Sequence, residues 1–186
     1  MELSVDELLE FRKCYEDPEY FVRQYLGDEY TSLVEPIVGE HRLLVKNATM
    51  DDHYSVLAYM VWRLVFHRDQ TMIVISDDVY ARDSIFCLFC SLPKYMQPKV
   101  MRANKSWIEL DNGMRVLVSH LMHRCRGHAI SFFYGDDFAN WGNDAQTMWN
   151  NYMPTISMTG KVILTDRKPN PFYALWDNST SFGKVG

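Results

Sequence analysis

The run RLLVKNATMDDHYSVLAYMVWRLVF, residues 42–66, decides how the rest of the chain is read. It begins with a short apolar segment, RLLV (42–45), passes through polar residues, and continues as SVLAYMVWRLVF, apolar at helical spacing. Strand, turn, helix is the order in which an α/β fold sets a helix N-terminus at the tip of a strand. That is where such folds hold anions. Here the turn contains no glycine, and Asp51 and Asp52 stand where a phosphate would be held.

Outward from this run the pattern repeats. Short apolar runs TMIVIS (71–76), ISFFYG (130–135) and KVILT (161–165) alternate with helical stretches at 78–91, 144–153 and 171–177. Apolar runs separated by helices predict an α/β fold with a mostly parallel sheet flanked by helices. One excursion interrupts it: SWIELDNGMRVLVSHL reads as two strands joined at Asp111-Asn112-Gly113, an antiparallel hairpin. Upstream, Ser4 with Glu7 forms a capping box, Asp17-Pro18 restarts a helix, and Gly27 stops it, so residues 1–40 read as a helical lead-in. No repeat or low-complexity linker divides the chain. Residues 1–186 are therefore expected to form one domain, with the α/β core at 41–186.

Composition narrows the classes. The chain is 47% hydrophobic with a formal charge of −5, so as a whole it lacks the basic footprint of a nucleic-acid binder. A local basic set remains along the hairpin and its exit: Arg102, Lys105, Arg115, Arg124 and Arg126. No apolar run reaches the roughly 18 residues of a membrane span, and the N-terminus MELSVDELLEF does not resemble a signal peptide. A soluble protein of a reducing compartment, with no membrane partner, is the expectation. Of Cys14, Cys87, Cys90 and Cys125, the pair in IFCLFCSL reads as buried thiols on a helix rather than a redox or zinc motif.

Chemistry in an open α/β sheet is sought after the strands, at residues 47–53, 76–78, 135–137 and 165–168. FFYGDD (132–137) looks like a Walker B element, in which the first acid holds magnesium and the second orients water. Taken alone, two acids after a strand are more often a helix N-cap and its neighbour.

Further segments sharpen this reading: FRKCYEDPEYFVRQYL (11–26), SLPKYMQPKV (91–100), NKSWIELDNGMRV (104–116), RGHAISFFYGDDFAN (126–140), the helix bearing Trp149, and KVILTDRKPNPFYALW (161–176). Together they resemble the ATPase domain of the large terminase subunit of tailed bacteriophages, the contractile-tailed myovirus type in particular, over nearly the whole length. The resemblance implies a P-loop NTPase-like fold and a place in the cytoplasm of an infected host cell. It also implies kinship with a motor that couples ATP hydrolysis to pumping DNA into a procapsid. A packaging terminase continues into a nuclease domain of the RNase H type, for which this sequence has no room after Gly186; either an excised domain or a short stand-alone relative is the expectation, the replaced lysine favouring the latter.

Carried over residue by residue, the family's motifs are altered here. The Walker A glycine, lysine and threonine match Asp51, Asp52 and His53. Two carboxylates thus replace a turn residue and the cation that meets the phosphates. At an effective dielectric of about 20, each like-charge pair near 4 Å costs about 4 kcal/mol, so this loop is expected to repel triphosphate. Asp136 matches the magnesium-holding acid. Asp137 stands at the catalytic glutamate, one methylene short, where a displacement of about 1 Å is costly. Thr165-Asp166-Arg167 replaces the small-hydroxyl run of the coupling motif, and Lys168-Pro169-Asn170 keeps only its proline and asparagine. Arg126 matches an arginine ahead of the Walker B-like strand, or else caps nearby carbonyls.

The resemblance, with these departures, leads to a catalytically silent terminase-like protein that works through protein contacts. It would be a regulator, decoy or inhibitor of a DNA-packaging motor, its portal or a host factor, with no cofactor and no ATP binding expected. Two alternatives stay open. One is residual nucleotide or DNA binding, the DNA held by the basic set. The other is a divalent-metal site in the cleft where Asp51, Asp52 and His53 would meet Asp136 and Asp137, with Asp52, His53, Asp136 and Asp137 as ligands. Its plain counterpart is a solvated acidic rim. Met122, His123, Met148 and Met153 read as gap-filling residues. Trp107, Trp141 and Trp149 read as core residues or partner anchors.

Overall fold

A strand of consecutive apolar residues must be buried on both faces, and the middle of the sheet of this protein, described here from a computed structural model, is built of such strands. The structure describes residues 3–76, 80–119, 129–138, 150, 153–167 and 182–185. The strands are β1 (Arg42–Lys46), β2 (Thr71–Ile75), β3 (Val100–Asn104), β4 (Trp107–Leu110), β5 (Arg115–Ser119), β6 (Ile130–Gly135), β7 (Ile156–Asp166) and β8 (Gly183–Val185). They form one eight-stranded sheet in the order β3-β4-β5-β2-β6-β7-β1-β8. From β5 to β8 every pairing is parallel, and β3-β4-β5 are antiparallel. Alternate residues serve opposite faces. Val45, Val74, Val118, Phe132 and Ile163 enter one core, while Leu44, Ile73, Ile75, Phe133 and Leu164 enter the other.

The first core lies under α4 (Met50–Phe66), whose residues from Ser55 to Val65 are all buried. Sheet covers one side of this helix. The lead-in helices α1 (Val5–Glu16), α2 (Pro18–Tyr25) and α3 (Val34–Gly39), together with α5 (Ala81–Ser91), cover the other. Cys14, Phe21, Val22, Leu33, Val34 and Ile37 share that core with α4. Polar groups fasten the lead-in. The Glu10 carboxylate accepts from the hydroxyls of Tyr20 at 3.0 Å and Tyr25 at 2.9 Å, and Trp62 Nε1 donates to the Cys14 carbonyl at 2.8 Å. Burial, with the Glu10 charge beside it, pushes the Cys14 thiol up to about 12. Lys161 Nζ donates to the carbonyls of Ile37, Val38 and Glu40, closing the end of α3.

The capping box at Ser4 and Glu7, the Asp17 cap and the hairpin at Asp111-Asn112-Gly113 stand as the sequence predicts. Gly113 adopts φ +79 there, and a Cβ would collide with the Asp69 carboxylate. Asn112 Nδ2 donates to the carbonyls of Leu64 and His67, so the hairpin also closes the end of α4.

Three expectations change. β7 starts at Ile156, five residues before the apolar run at 161, and β3 and β8 are additional strands. Cys87 and Cys90 are exposed, not buried: on α5 it is Ala81, Ile85 and Phe89 that face inward, which turns both thiols to solvent. The helices expected at 144–153 and 171–177 lie outside the described residues except for Asn150 and Met153, as does Cys125.

Candidate functional site

The turn between β1 and α4 has only three residues, Asn47, Ala48 and Thr49. Asn47 takes a left-handed conformation, φ 54, which asparagine tolerates better than most residues. The Ala48 N–H then donates to the Asp166 carbonyl at 2.9 Å, tying the turn to the end of β7. Thr49 caps α4. Its Oγ1 accepts from the Asp52 N–H at 3.2 Å, while Asp52 Oδ2 accepts from the Thr49 N–H at 2.8 Å and from Thr49 Oγ1 at 2.9 Å. Ser32 donates to Asp52 Oδ1 at 2.9 Å. The carboxylate of Asp52 thus sits on the positive end of α4, where an anion is favoured, and Asp51 is exposed beside it.

One residue further, His53 turns inward and is 1% exposed. Its Nδ1 lies 2.9 Å from the Tyr134 hydroxyl and 3.3 Å from Asp136 Oδ2. Asp136, 2% exposed, is the point on which the strand tips converge. Ser76, following β2, donates to Oδ2 at 2.7 Å. Tyr134 of β6 and Thr165 of β7 each donate to Oδ1 at 3.1 Å. Arg167 Nη2 reaches both oxygens at 3.3 and 3.4 Å. Parallel strands ending at one level place these residues side by side: Tyr134 is in register with Ile163, and Thr165 with Val45.

Burial by itself disfavours the charged form of Asp136. The hydrogen bond and charge of His53, the Ser76 hydroxyl and the Arg167 charge outweigh it and hold this carboxyl well below the usual range. The same burial, with the neighbouring Asp136 charge, pushes the Tyr134 phenol well above its ordinary value. Asp137 is set apart, at φ 47 with its Oδ1 accepting from the Arg167 N–H at 3.3 Å.

The candidate metal set therefore divides. His53 and Asp136 are brought together, Asp52 is engaged by Thr49 and Ser32, and Asp137 faces Arg167. Among the described residues no three His, Cys, Asp or Glu side chains are placed to share one ion. Ser76 and Arg167 lie within the strand-tip windows read from the sequence, but their bonds to Asp136 were not foreseen, and Tyr134 was not singled out at all. The one available signal was Tyr134, two residues before Asp136 and so on the same side of the strand. Arg126, Arg124, Met122, His123, Met148, Trp141, Trp149 and Lys168-Pro169-Asn170 lie outside the described residues. Trp107 and Met153 pack against the second core. Of the basic set, Arg102 and Lys105 are exposed, and Arg115 Nε donates to Glu109 at 3.0 Å. Among the described residues no helix is long and apolar enough to cross a membrane.

No family model matches the sequence. Solved structures share the fold. The large terminase of the thermophilic bacteriophage D6E superposes with a TM-score of 0.55 at 9% identity, covering 84% of this chain and 42% of that protein. The large terminase ATPase domain of Thermus phage P74-26 gives a TM-score of 0.51 at 10% identity, covering 77% of this chain and 74% of that one, and an arginine-to-alanine variant of that domain gives the same values. The chain thus spans less than half the length of the D6E protein. At such identities the likeness is one of fold: a mostly parallel sheet with flanking helices, as in those phage large terminase structures.

Proposed function

We propose that this chain is a catalytically silent terminase-like protein that acts through contacts with other proteins, as a regulator, decoy or inhibitor of a DNA-packaging motor or of a host factor in an infected cell. The observation that supports the reading is that the chain's own side chains fill the strand tips where a nucleotide would be held. The Asp52 carboxylate occupies the helix N-terminus that would receive a phosphate. His53, Ser76, Thr165, Tyr134 and Arg167 surround the acid that would hold magnesium.

Both features oppose nucleotide chemistry. A phosphate loop wraps backbone N–H groups around the anion over a glycine-to-glycine span of about six residues, whereas three residues separate β1 from α4 here. A carboxylate offers about four acceptor positions, and those of Asp136 are met by donors within the protein. A magnesium ion would have to displace them. With the site silent, selection acts on the surface, because fold and site are separable.

Steady-state phosphate release from magnesium-ATP tests the reading. The expected result is no release above background, unchanged in Asp136→Ala. Turnover that disappears in Asp136→Ala overturns it.

A further inference from the structure

β3 is the outermost strand of the sheet. It pairs with β4, and among the described residues no strand lies on its other side. Residues 101–104 are all exposed, so both faces of the strand stand clear of the layers that cover the sheet elsewhere.

Its register fixes which backbone groups face outward. Lys105 and Ser106 form a two-residue turn with Asn104 opposite Trp107, Ala103 opposite Ile108 and Arg102 opposite Glu109. In such a hairpin the pair flanking the turn exchanges both hydrogen bonds, and the next pair exchanges none. Asn104 and Arg102 therefore bond inward to β4, and the N–H and C=O of Ala103 point away from it. A shift of register between Val100 and Arg102 ends the regular stretch at its other end.

Charge marks the same edge. Lys99, Arg102 and Lys105 are exposed along β3 and its turn, on a chain whose formal charge is −5. Glu109 stands in register with Arg102 on one side and Arg115 on the other, and its carboxylate is bonded by Arg115. Glu109 is thus engaged by Arg115, with Arg102 the second cation flanking it in register. Basic residues on an edge strand repel a second copy of the same edge, while attracting a strand of opposite charge.

We infer that β3 is a docking edge for an extended acidic segment of another protein. The segment adds as a further strand, with main-chain hydrogen bonds at Ala103 and carboxylates beside Arg102 and Lys105. This deepens the protein-contact reading. It does not depend on the nucleotide site, so a failure here leaves the hydrolysis result standing, and the converse.

The test is fluorescence anisotropy with a short labelled peptide alternating valine and glutamate, against the same peptide with lysine for glutamate and against a short DNA duplex. Ala103→Pro deletes the outward N–H at a position where an edge strand accepts proline, and Ala103→Val retains it. The acidic peptide should bind and the lysine peptide should not. Ala103→Pro should weaken binding by about tenfold, the worth of one backbone hydrogen bond, with Ala103→Val close to the parent. Reversing Arg102 and Lys105 together to glutamate should weaken it at least as much. Should Ala103→Pro fail to fold by circular dichroism, slowed exchange of the Ala103 amide on adding peptide to the parent decides the matter. Absence of saturable peptide binding overturns the inference. So does binding undiminished in a folded Ala103→Pro, an Ala103 amide left unprotected, or binding of duplex alone.

Discussion

Asp136 shows how far one carboxylate can be committed to the fold. It is buried, and removing one partner of a buried charge leaves the other unmatched. We predict that His53→Ala lowers the unfolding free energy by about 3 kcal/mol, measured by urea denaturation. The folded carboxyl titrates below the unfolded value of about 3.9. The stability it contributes is therefore complete above about pH 4 and is lost as pH falls through the folded value. His67 acts in a higher window. Burial, then the nearby Arg63 charge, pulls its imidazole from 6.5 to about 4, and it stands edge-on to Trp62 with ring centroids 5.0 Å apart. The unfolded state then binds the proton first as pH drops. Stability should fall from pH 6.5 to about 4, and His67→Gln should flatten that slope in thermal melts across the window.

At the scale of elements, the adjacent acids Asp51 and Asp52 have different work. Asp52 closes the capping box of α4 and holds Ser32, while Asp51 is exposed. Asp52→Ala should cost about 1 kcal/mol. Asp51→Ala should stay within about 0.5 kcal/mol, with calorimetric melts as the measure. The sequence reading treated both as charges repelling a phosphate; the cap, Thr49 with an acid three residues on, is a local pattern that the reading passed over. The buried strands β2 and β6 were legible because only apolar residues survive burial on two faces. β3 was not, since VMRAN is exposed on both faces, holds no apolar run, and alternates over only four residues with a weakly apolar alanine. Cys87 and Cys90 were misread because an apolar run such as IFCLFCSL suggests burial all round, whereas only the Ile85 and Phe89 side is covered. Arg167 was read against a motif; it follows β7 while its partner Asp136 follows β6, and only the pairing of those strands brings the two together.

For the molecule as a whole, the sheet order gathers residues from α4, β2, β6 and β7 around one acid, a convergence no single stretch of sequence announces. That Asp136 stands at the tip of a strand was legible in sequence because a strand ending in acids is local. Its closure was not, because that depends on four segments arriving at one level. In a silent site this convergence replaces ligands instead of recruiting them. Magnesium should therefore raise Tm no more than sodium chloride at equal ionic strength, as expected when only screening operates. A rise specific to magnesium and absent in Asp136→Asn would show that the acid is still open to an ion. The most direct measurement is calorimetric titration of magnesium-ATP into the protein. No saturable heat is expected at concentrations up to about 1 mM, which corresponds to binding weaker than about −4 kcal/mol. Stoichiometric micromolar binding, lost in Asp136→Asn, would contradict it.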